Sequence, residues 1–156
     1  MASQIGTKLK ISIFGESHSE AIGVVIDGLP AGIAVDGEKL LSFLSRRAPG
    51  SGEHTTSRRE ADKPRFLSGI TDGVTCGSPI AAIIENTNTR SGDYASLCDV
   101  PRPGHADFSA FMKYGKAHDI RGGGHFSGRL TAPLCIAGGI CLQYLESRGI
   151  KIGAHV

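Results

Sequence analysis

The chain has no tryptophan, two methionines, six phenylalanines and three tyrosines. It also lacks a charge excess, with a formal net charge of +2. So few rings and so weak a bias argue against a nucleic-acid surface, which needs a strong basic field and stacking platforms. The four cysteines, Cys76, Cys98, Cys135 and Cys141, form no CxxC pair and no zinc-ligand spacing. They are expected to be reduced thiols, with Cys76, Cys135 and Cys141 as small core residues. No apolar stretch reaches membrane-spanning length and no basic start leads into a cleavage site, so a soluble, cytoplasmic protein without membrane contact is expected. Internal repeats and low-complexity linkers are absent. HExxH and other metal-ligand ladders are missing, so no metal is expected. A Walker lysine is missing too, which disfavours an ATPase or kinase.

Glycine, by contrast, is abundant: 22 in 156 residues, about twice the usual ~7%. Such an excess points to tight turns and close backbone approaches. Alternation around Leu9, Ile11 and Ile13 predicts a strand over 8–14, and the apolar run 22–26 predicts a second, antiparallel to it. Asp36 is placed to cap a helix carrying Leu40, Leu41 and Leu44, stopped by Pro49-Gly50. Residues 66–67 and 80–84 read as strands around turns at Gly69 and Gly73. A helix is expected over 106–114, burying Phe108, Phe111 and Met112. The longest helical pattern runs over 127–148, with Leu130, Leu134, Ile140, Leu142 and Leu145 inward, Pro133 near its start and Gly149 as its stop. Residues 150–156 read as a last strand or a cut end. The class these patterns support is α+β.

Chemistry concentrates in the stretch 102–129, which holds three His, three Arg and three consecutive Gly. A second polar cluster, Gly15-Glu16-Ser17-His18, lies far away in the chain. Both are expected to converge on one site for a small anionic ligand. His18 reads either as a surface loop residue or as a proton donor accessible near neutrality. His105, just before a helix, suits a general acid beside an incoming phosphate, with Asp107 either orienting the ring or capping the helix. Gly122, Gly123 and Gly124 read either as a backbone anion cradle, helped by Arg121 and Arg129, or as a tight structural turn. Arg46, Arg47, Arg58, Arg59, Lys63 and Arg65 crowd twenty residues into a second positive cluster.

In order and spacing, the motifs are GESH at 15–18, DGLPAG at 27–32, RRAPG at 46–50, TTSRREAD at 55–62, SGITDGVTCGSPIAAIIENTNTRSGDY at 68–94, RPGHAD at 102–107, KYG at 113–115 and DIRGGGHFSGRLTA at 119–132. Together they resemble the chorismate synthase family over nearly the whole chain. The resemblance implies antiparallel sheets packed on a helical core. It implies a lyase that converts 5-enolpyruvylshikimate 3-phosphate to chorismate and phosphate by 1,4-anti elimination, with reduced FMN and no net redox turnover. His105 would act as acid at the leaving phosphate, and His18 would hold or protonate the reduced flavin. Arg46, Arg47, Arg58, Arg121 and Arg129 would bind the substrate. Ser127, Arg129, Gly123 and Gly124 would join His18 around the flavin. A homotetramer and an association with NADP are implied in the same way.

Against the family pattern, Ser19 replaces a usual Gly and is expected to crowd the flavin edge. His125 replaces an Arg, exchanging a fixed charge for a titratable ring. Ile5-Gly6 stands where tryptophan-glycine is usual. Family members are longer, and an Asp implicated in taking the substrate proton has no counterpart on these 156 positions. Residues 1–156 are therefore expected to form one such domain, incomplete at its C-terminus.

Overall fold

A computed structural model describes residues 3–48, 62–87 and 100–155. Its frame is a five-stranded antiparallel sheet. The strands are β1 (Gln4–Ile5), β2 (Lys10–Gly15), β3 (Ala21–Asp27), β4 (Arg65–Ser68) and β7 (Ile80–Glu85), in the order β1-β2-β3-β7-β4. Between β4 and β7 the chain makes a small hairpin of β5 (Ile70–Thr71) and β6 (Val74–Thr75). The described chain also holds three α-helices, α1 (Gly37–Ser45), α2 (Asp107–Tyr114) and α3 (Thr131–Glu146), with short 3₁₀ segments between α2 and α3.

Side chains two apart on a strand share a face. Ile22, Val24 and Ile26 of β3 and Ile80, Ala82 and Ile84 of β7 are accordingly all buried on one side. Leu40 and Leu44 of α1 and Ile136, Ala137 and Ile140 of α3 complete that core. Complete burial of one such side chain is worth about 1.5–3 kcal/mol. The α+β class and the helix-backed antiparallel sheet expected from the motifs are what is found.

The predicted ends of the helices are met by the expected chemistry. Asp36 Oδ1 accepts from the backbone N–H groups of Glu38 (2.9 Å) and Lys39 (3.0 Å). Gly149, at φ 75°, ends α3 with its own N–H on Glu146 O (2.9 Å) and that of Ile150 on Leu145 O (3.0 Å). This pair of bonds satisfies carbonyls the helix leaves orphaned.

Several expectations are corrected. The long helix begins at Thr131 rather than 127, after a 3₁₀ turn over Gly128–Leu130. Its buried face is Ala132, Pro133, Ile136, Ala137, Gly139 and Ile140. Leu134 is exposed, while Leu142 and Leu145 are only half-buried. Small residues prevail because α1 comes close: a Cβ at Gly139 would lie 2.6 Å from Leu40 Cδ1. Helix α2 exposes Phe108, Phe111 and Met112 and buries Asp107 and Ala110. Its inward side is set by the ionic cluster at its start. Cys76 is exposed on the turn after β6, and Cys135 and Cys141 are half-buried. Residues 150–155 form no strand. The predicted stop at Pro49-Gly50, Arg58, Arg59 and Cys98 lie outside the described residues. Among those described, no helix is long and apolar enough to cross a membrane.

The inward face of α3 can be tested directly. Ile136→Ala is expected to cost about 2–5 kcal/mol, as for other buried aliphatic truncations. Leu134→Ala, on the exposed side, is expected to cost less than about 1 kcal/mol. Urea denaturation of the two variants measures the contrast, and equal losses would contradict this packing.

Candidate active site around the glycine loop

Gly122, Gly123 and Gly124 have φ of 58°, 85° and 55°, three consecutive residues in the region that disfavours a side chain. The space a side chain would need is already filled. A Cβ at Gly122 would lie 2.5 Å from both Cε1 and Nδ1 of His18 and 2.5 Å from Ser17 Oγ. One at Gly123 would lie 2.5 Å from His105 Cε1 and 2.7 Å from His105 Nε2. The two imidazoles, distant in sequence, thus pack on neighbouring glycines. Gly124 holds the third point, its carbonyl accepting from the Ser17 N–H at 3.1 Å. In this structure the bare glycine backbone admits imidazole rings.

His105 is held by ionic contacts within its own segment. Its Nδ1 lies 2.7 Å from Asp107 Oδ1, so Nδ1–H donates to the carboxylate and Nε2 is left facing Gly123. Arg102 grips the same carboxylate in a fork, Nε to Oδ2 at 2.7 Å and the terminal NH2 to Oδ1 at 2.9 Å, and its backbone N–H adds a bond of 3.0 Å. The Arg102 guanidinium holds the Asp107 carboxyl well below the usual range, although burial works the other way. Asp107 is a ring-orienting group here. The residue before α2 has no side-chain cap, and the Asp107 carboxylate reaches back to Arg102 instead. A carboxylate fixed on Nδ1 sets the tautomer and the orientation of the ring.

Across the loop, Arg47 and Arg129 each bind one oxygen of Asp62, a carboxylate that is almost wholly buried. Arg47 Nε also donates to Thr131 Oγ1 (3.1 Å) and Arg129 Nε to Asn86 Oδ1 (3.3 Å). Two guanidiniums thus converge on this one buried carboxylate. Ser127 accepts from the Arg129 N–H at 3.3 Å and so caps the turn before α3.

Two other predicted arginines, Arg46 and Arg121, are turned elsewhere. Arg46 is exposed and lies over the Phe43 ring at 5.7 Å. Arg121 is exposed and forked onto Asp119, both bonds 2.8 Å. Arg58 falls outside the described residues. Arg102, Asp62 and Asn86 were not singled out by sequence reasoning. RPGHAD carried a signal for Arg102, since its cation and acid flank the His; the partners of Asp62 and Asn86 are far away in the chain.

Two of the departures from the family pattern, Ser19 and His125, have structural work. Ser19 Oγ turns into its own loop, accepting from the Glu16 N–H (3.0 Å), with Glu16 O at 2.9 Å and Ala21 O at 2.8 Å as acceptors. His125 Nδ1 donates to Gly15 O at 2.8 Å, and Nε2 takes the Ser3 hydroxyl at 2.8 Å. It staples Ser3, near the start of the described chain, to Gly15 at the end of β2. Beside it lies a cavity of about 330 Å³ lined by Glu16, Tyr114, His118, Asp119 and Phe126, among others. Burial and the nearby Asp119 carboxylate push the Glu16 carboxyl up, while Arg121 holds Asp119 down.

A family model described as chorismate synthase matches residues 9–156. The chain is similar to the chorismate synthase of Lancefieldella parvula, with 55% identity over 157 aligned positions, covering 100% of this chain and 41% of that protein. With that of Thermococcus kodakarensis it shares 48% identity over 151 positions, covering 97% of this chain and 42% of that protein. A crystal structure titled as chorismate synthase superposes with a TM-score of 0.65 at 28% identity, over 93% of this chain and 36% of that one. The chain thus spans about two fifths of the length of these curated relatives.

The Arg102–Asp107 contact predicts an acid-side signature. A carboxyl held below its ordinary range takes up its proton more readily when the chain unfolds. Its contribution is complete above the unfolded value of about 4 and fades as pH falls through that value toward the lower folded one. Wild type is therefore expected to exceed Asp107→Asn in stability near neutrality, with the gap narrowing below about pH 4. Chemical denaturation of both proteins across that range gives the difference. A gap that widens on acidification would contradict the assignment.

Proposed function

Because the chain belongs to the chorismate synthase family, we propose that it binds reduced FMN and a phosphorylated polycarboxylate around the glycine loop, as the family's flavin- and phosphate-binding module. The packing of His18 and His105 on adjacent glycines carries this reading. The fit to a flavin rests on the same place: a glycine run without room for side chains, a ring nitrogen beside it, and the Arg47–Asp62–Arg129 cluster. His18 would hold the flavin, with Gly123, Gly124, Ser127 and Arg129 around it. Arg47 and Arg129 would face the anionic groups.

A second reading, the complete 1,4-anti elimination from 5-enolpyruvylshikimate 3-phosphate, is favoured by the Arg102–Asp107–His105 chain. Asp107 keeps the proton on Nδ1 and aims the ring, so that Nε2, when protonated, would deliver its proton to the departing phosphate oxygen. When bound, reduced FMN would supply electron density to the substrate ring and take it back. The chain spans about two fifths of the length of its curated relatives, so the module reading ranks first. The resemblance extends both readings to a cytoplasmic homotetramer.

The two are separated by adding reduced FMN and then substrate under anaerobic conditions, following flavin absorbance and phosphate release. Flavin binding without phosphate release is expected. His18→Ala should weaken flavin binding about ten- to a hundredfold, the range for a charge-assisted contact. Phosphate release abolished in His105→Ala would establish the elimination instead, and no flavin binding at all would remove both readings.

A further inference from the structure

His18 occupies the corner of a tight turn over residues 16–19, closed by the Ser19 N–H on Glu16 O at 3.3 Å. One side chain clasps both ends of that turn. Asn86, the first residue past β7, donates from Nδ2 to Glu16 O (3.1 Å) and to Ser19 O (2.8 Å). Its backbone N–H reaches Glu20 O at 2.9 Å, extending the pairing of β3 with β7 to the edge of the turn. Its Oδ1 accepts from Arg129 Nε at 3.3 Å. The amide orientation follows from this set, because the reverse would aim an oxygen at two carbonyls. We infer that Asn86 is a positioning residue for His18, setting the ring through the turn and coupling it to the Arg129–Asp62–Arg47 cluster.

The coupling has a chemical consequence. An anion that draws Arg129 toward itself acts on Oδ1 of the amide whose Nδ2 holds the His18 turn. Occupancy of the arginine cluster and the setting of His18 are thereby linked. This link rests on the binding reading above, whereas the positioning of His18 does not.

The test uses the whole chain without flavin or phosphate. Long-range proton–nitrogen NMR follows the titration midpoints of His18 and His105 in wild type and in Asn86→Ala, which adds no charge. Asn86→Leu, nearly isosteric, serves if the alanine variant does not fold. Gln143→Ala is the control for general loosening, since Gln143 ties Asp36 to α3 (2.8 and 3.0 Å) and touches no part of the turn. The expected result is a His18 midpoint displaced from wild type by more than about half a pH unit, about a threefold change in proton affinity. His105 should stay in place, and Gln143→Ala should leave both unmoved. A His18 midpoint unchanged in the folded Asn86 variants, or His18 and His105 moving together, would overturn the proposal. Absence of flavin binding in wild type would sink the functional reading and leave this result standing.

Discussion

Everything around the candidate site depends on a backbone constraint: three successive residues in the left-handed region, with no room above them for a carbon atom. A side chain at any of the three would be strained by its own φ, and the neighbours leave no space to relax. At Gly124 the obstacle is backbone, since a Cβ would lie 2.1 Å from Asp119 O. The loop therefore cannot retreat from the imidazoles, nor they from it. His18 and His105 meet because each packs against the same short rigid surface, approaching from different parts of the chain. Their proximity is a packing result before it is a chemical one.

The second constraint is a buried charge. Asp62 and Arg129 are both almost fully removed from water. Such an arrangement contributes little net stability compared with a well-packed apolar substitute, yet breaking it by removing one partner is costly. Its use is therefore specification. Arg47 comes from the end of α1, Arg129 from the turn before α3 and Asn86 from the end of β7, so one polar chain fixes three elements against each other. An apolar core of Ile22, Ile80 and Ile136 tolerates sliding that these directional bonds do not.

Much of the fold could be read from local pattern. The β2–β3 pairing, the Asp36 cap and the Gly149 stop each follow from a few neighbouring residues, where physics is local and cheap to infer. Reading failed where the partner decided. Leucine spacing in α3 pointed to Leu134, but the helix turned its alanines and glycines inward because α1 needed close approach. In α2 the aromatic residues matched an inward stripe, yet the ion pair of Asp107 with Arg102 claimed the buried side. At the site, the histidines and the glycine run were legible as unusual residues in unusual density. Arg46 and Arg121 shared that density and still faced elsewhere, one over a ring and the other onto Asp119. Charge clustering in sequence marks a region and says nothing of direction.

The two histidines are consequently held by different kinds of device. His105 is fixed by Asp107 and Arg102, all within six consecutive positions, so its geometry travels with one short segment. His18 is fixed by a turn whose ends are tied through Asn86 to a buried ion cluster built from distant elements. A locally braced group keeps its tautomer wherever the segment sits, as a proton donor must. One braced through an arginine cluster is tied to elements from three parts of the chain. On the proposed binding, the asymmetry would divide the site into an arm set in advance and an arm set by occupancy.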